Sequence, residues 1–91
     1  MPNVTQAQDR IYYGLWKSIT EKFALGYMPQ IRVDPMDVSA IKRGIRKERE
    51  RDVAWCEANQ HKAIFIEYNR ATEVMRFDLR NMAGRVKDSE M

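Results

Sequence analysis

Residues 34–59, DPMDVSAIKRGIRKERERDVAWCEAN, decide how the rest of the chain is interpreted. Asp34 suits a helix cap, Pro35 suits the first helical position, and Asp37 adds negative charge to the first turn, so one long helix over 35–59 is predicted. Projected at about 100° per residue, Val38, Ile41, Ile45 and Cys56 share one stripe, while Arg43, Lys47, Arg51 and Ala54 lie almost opposite. From Lys42 to Asp52 the charges are Lys42, Arg43, Arg46, Lys47, Arg49 and Arg51 against Glu48, Glu50 and Asp52. That surplus equals the formal net charge of +3 of the whole chain, so the basic character is local.

The apolar stripe is interrupted between Ile45 and Cys56 by Glu48, Arg49 and Asp52. The leading expectation is that the helix overhangs a small core, with Arg49 and Asp52 forming an ordinary surface pair. A second is that these charges are half-buried against a copy or partner, where paired polar groups fix register. A third, a metal held by Glu48 and Asp52, lacks further ligands. On the outer stripe, like charges four residues apart cost about 0.2–0.5 kcal/mol per pair. An anionic partner such as a nucleic-acid backbone would offset that cost, and a simple solvated face is the alternative.

Working toward the N-terminus, Thr5 and Gln8 form a capping box after a lead of residues 1–5, and Gly26 suits a left-handed helix end. A first helix over 6–25 is predicted, with Ile11, Tyr12, Leu15, Trp16, Ile19 and Phe23 on one broad aromatic-rich arc that should supply the best core surface. After Pro29, Ile31 and Val33 alternate with Gln30 and Arg32, which predicts a short edge strand over 30–33.

Toward the C-terminus, 62–79 reads as a β-hairpin around a polar turn at Asn69 to Thr72. Pairing Ile66 with Met75 and Ile64 with Phe77 places Tyr68 opposite Glu73. Ile64, Ile66, Tyr68, Met75 and Phe77 then face the helices, and Phe65, Glu67, Val74, Arg76 and Asp78 face away. Residues 81–91 are expected to form a frayed turn and a flexible tail. The predicted fold is therefore α+β: one small two-layer domain in the order helix, short strand, long helix, hairpin, tail.

At 91 residues, with 44% hydrophobic and 32% charged, the chain is sized for one core that self-association would complete, so a homodimer is expected. It has no apolar run of membrane-spanning length and no secretory signal, and a lone Cys56 fits a reducing compartment, so a cytoplasmic protein is expected. The scattered glycines form no phosphate-cradling loop, and His61 stands alone. Neither a catalytic site, a metal nor a cofactor is expected. The expected function is non-enzymatic macromolecular binding. Lys42, Arg43, Arg46, Lys47 and Arg51 would meet nucleic acid or an acidic protein surface. Alternatively the protein is a small protein-binding module or inhibitor, of the kind a mobile element carries, docking on a larger assembly through Arg49, Asp52, Trp55 and Phe65.

Overall fold

The computed structural model describes residues 4–82, with side chains from Arg10 onward. Helix α1 spans Val4–Ala24. It begins before Thr5, which therefore lies in the first turn instead of capping it; helix ends commonly shift by a residue or two. Its other end follows the sequence closely. Gly26 adopts φ 84°, its amide donates to Phe23 O at 3.0 Å, and the Tyr27 amide donates to Lys22 O at 2.9 Å. Those two bonds satisfy carbonyls that the helix end would leave open, in a conformation that glycine adopts without strain.

The predicted long helix is three segments. A 3-10 turn at Pro35–Asp37 is capped by Asp34, whose carboxylate accepts the Met36 amide at 3.0 Å. Helix α2 then runs Val38–Arg51, and a short α3 runs Val53–Ala58. The break falls at Asp52, with φ −88° and ψ 77°, without a proline or glycine. Asp52 leaves the helix because its side chain has two better partners there, described below. Serine, threonine, asparagine and aspartate compete with helical hydrogen bonding in this way.

Strands β1 (Gln30–Arg32), β2 (Lys62–Asn69) and β3 (Val74–Asn81) form an antiparallel sheet in the order β1-β3-β2. The short strand is at an edge, as predicted, and β3 is central. The hairpin register differs from expectation by two residues: Tyr68 faces Met75, Ile66 faces Phe77, and Ile64 faces Leu79. The cause is the loop. Asn69 accepts the Ala71 and Thr72 amides on its side chain at 2.9 and 3.2 Å, and the Glu73 amide on its carbonyl at 2.8 Å. Glu73, at φ 59°, is thereby drawn into the turn. Because side chains alternate with a period of two, an even shift leaves every residue on its expected face. Of the expected tail, Asn81 belongs to β3, and residues 83–91 lie outside those described.

The helices cover one face of this sheet, a two-layer α+β domain. Trp16 and Ile19 from α1, Val33, Ile45 from α2, and Met75 and Phe77 from β3 form the buried core. Leu15, Phe23, Val38, Ile41, Ile64 and Ile66 pack around it. Ile11, 65% exposed, lies outside the packed arc. The helices meet at Gly44, which is buried: a Cβ there would come within 2.6 Å of the Tyr12 ring. Gly44→Ala is therefore expected to destabilise the protein. In a Tyr12→Ala background the same change should instead stabilise it, by up to about 1 kcal/mol of helix propensity. Urea unfolding of the four variants would measure this reversal of sign.

Candidate anion-binding interface

Helix α2 is held by Ile45, fully buried beneath it, by Val38 and Ile41, and by the close approach at Gly44. Fixing that side toward the core turns the opposite arc outward. Arg43, Arg46, Lys47 and Arg51 are exposed, and Lys42 is half-buried at the border. The sequence-predicted cations therefore share one continuous surface. Arg51 is engaged at its inner margin, 3.5 Å from the Glu48 carboxylate. Among the described residues, Lys42, Arg43, Arg46 and Lys47 make no ion pair.

The outer face of the sheet is different. Glu67 takes both Arg76 and Arg80, the latter at 3.4 Å, and Arg80 also reaches Asp78 at 2.8 Å. The Arg80 guanidinium lies 4.2 Å from the centre of the Phe65 ring, in cation–π range. That contact accounts for a phenylalanine left 42% exposed on this face. The Asp78 and Glu67 carboxylates raise the Arg80 pKa further, the hydrogen bond to Asp78 being the largest cause. The charges of this face are consumed by one another, whereas Lys42, Arg43, Arg46 and Lys47 of α2 make no ion pair among the described residues.

The interrupting residues occupy places that none of the sequence expectations described. Glu48 is 6% exposed and meets Arg51; no Arg49–Asp52 pair forms. Asp52 accepts the Trp16 indole N–H at 2.8 Å on one oxygen and the Trp55 amide at 3.1 Å on the other, so it caps α3 while serving α1. Trp55 stands edge-on to Trp16, ring centroids 5.1 Å apart, and Arg49 lies 5.8 Å from the Trp55 ring centre. The four candidate interface residues are thus divided: Asp52, Trp55 and Arg49 surround the helix break, while Phe65 is on the outer sheet face. The double role of Asp52 was not found from sequence. Its signal is an aspartate three residues before Trp55, a spacing suited to a cap but placed inside a charged run.

Cys56 donates its thiol to Arg49 O at 3.1 Å, a carbonyl at the broken end of α2. Exposed His61 lies beyond α3, at the edge of the loop into β2. Among the described residues no three His, Cys, Asp or Glu side chains converge as a metal site. No helix among them is long and apolar enough to cross a membrane. Comparison with protein-family models, curated proteins and solved structures gives no match.

The Trp16 hydrogen bond is the chief reason the Asp52 carboxyl is held below its ordinary 3.8; the Trp55 amide and Lys17 lower it further against the opposing effect of burial. Asp52→Ala removes a cap worth about 1 kcal/mol and leaves a buried N–H unsatisfied at about 1–3 kcal/mol, so a loss of about 2–4 kcal/mol is expected in urea unfolding. A depressed folded pKa contributes stability above the unfolded value that disappears as pH falls through the folded one. The wild type should therefore lose stability more steeply than Asp52→Asn as pH drops below 3.8, read from thermal midpoints of the two proteins.

Proposed function

We propose that this is a non-enzymatic nucleic-acid-binding protein whose α2 outer face meets the phosphate backbone. The observation that carries this reading is the contrast between two charged faces of one small domain. Arg76 and Arg80 are neutralised locally, whereas Lys42, Arg43, Arg46 and Lys47 share an arc without a carboxylate partner among the described residues. Repulsion along Arg43 and Lys47, one turn apart, works against the helix in the free protein. Phosphates would relieve it while releasing condensed counterions. An acidic protein surface is the second reading, favoured by a groove beside the same helix.

Duplex DNA and RNA binding measured against salt tests the proposal. Arg43→Gln with Lys47→Gln should weaken binding uniformly across sequences and flatten the log K against log salt slope by about 1.8, two phosphate contacts at about 0.9 each. Binding and slope unchanged in the double variant, with helicity by circular dichroism intact, would remove the α2 face from consideration. Light scattering on the same samples reports whether the chain is the dimer that its small core leads us to expect.

A further inference from the structure

Strand β2 is an edge. Its eight residues pair with β3 on one side, and among the described residues no strand pairs with the other. KAIFIEYN contains no proline, and β2 is paired residue for residue with β3 without a bulge, so beyond Lys62, whose amide donates to Asn59 O at 3.0 Å, its outer N–H and C=O groups form a continuous row. Beside this edge an open groove of about 330 Å³ lies between α2 and β2. Its apolar surface comes from Ile45, Ile64 and Ile66, and its charged wall from Lys42, Arg46 and Arg49. The two isoleucines of β2 are only half-buried, so the sheet carries apolar surface past the helix layer toward its open edge.

We propose that this groove and edge receive an extended acidic segment of a partner protein, which adds a fourth strand to β2. Main-chain hydrogen bonds to β2 supply the register of such strand addition, and alternate side chains supply its selectivity. Apolar side chains of the segment fall on the continued surface of Ile64 and Ile66, where burying them removes further area from water. Carboxylates two residues away along the segment, on that same face, reach Lys42, Arg46 and Arg49. A second copy fits worse: antiparallel β2 pairing about a two-fold axis puts both helix layers on the same side of the sheet and sets the two rows of Lys42, Arg46 and Arg49 against each other. A bare phosphate backbone fits the cations but has nothing to place on the isoleucines. The groove shares Lys42 and Arg46 with the nucleic-acid reading, whereas Arg43 and Lys47 on the outer arc belong to that reading alone.

The test uses the whole chain and strand-length synthetic peptides in which every second residue is glutamate, valine, leucine or isoleucine, with threonine between, so that acidic and apolar side chains share the face turned to α2. Titration followed by NMR should shift β2 amides and slow hydrogen exchange at alternate positions of Ile64–Asn69. A version N-methylated on its pairing edge should bind about tenfold or more weakly, the loss expected for one or two hydrogen bonds. Lys42→Gln with Arg49→Gln should also weaken the peptide, whereas Arg43→Gln with Lys47→Gln should not, although it weakens nucleic acid. Three outcomes would overturn the proposal: no binding of the peptide pool, equal binding of the N-methylated version, or β2 amides already protected in a peptide-free dimer.

Discussion

Asp52 accepts the buried indole N–H of Trp16 with one oxygen and the Trp55 amide of α3 with the other, so a single carboxylate joins three helices. Everything around the break depends on that division. Trp16 can be buried to 1% exposure only because its one polar atom has an acceptor. Trp55 can stand edge-on to it only because the chain turns at Asp52 instead of continuing α2 outward. Arg49 then covers the Trp55 ring, and its carbonyl, left at the end of α2, takes the Cys56 thiol. What looks in the sequence like a failure of the apolar stripe is a polar joint between layers.

The sequence made the elements legible where periodicity and end signals agreed. Gly26 ended α1, the alternation in 62–79 assigned the correct faces of the hairpin, and the outward arc of α2 followed from Ile41 and Ile45. Two features were hidden, one decided by hydrogen bonds inside a loop and the other by a distant residue. The hairpin register was set by Asn69, whose side chain and carbonyl close a longer loop and place Glu73 in a left-handed conformation. The helix break was set by Trp16, thirty-six residues before Asp52 in the chain. Apolar periodicity carries no information about either. Of the binding surface, the basic stripe was readable from spacing alone, whereas the groove beside it requires knowing that β2, and not β3, is the outer strand.

Segregation of charge is the property that separates the faces of this domain. Glu67 and Asp78 lie across and along the strands from Arg76 and Arg80, within reach of direct pairs. Two of the acidic residues within the basic run point elsewhere, Glu48 inward to Arg51 and Asp52 into the joint, and only Glu50 of that run is exposed on the outer arc. Two of the three carboxylates within the basic run are therefore spent on structure, and Glu50 alone offsets part of the field that the cations direct at solvent.

The strand order also governs how the chain assembles. Ile31 and Met75 are neighbours in the sheet but about 44 positions apart in sequence, and β3 is the last strand described. During synthesis α1 and β1 leave the ribosome well before the strand that receives them, so the aromatic face of α1 spends that interval without its sheet. Closing so long a loop carries an entropic cost that local pairing does not, and slows folding accordingly. The β2–β3 hairpin, linked by four residues, has no such delay, and it is the natural template onto which the earlier half of the chain must return.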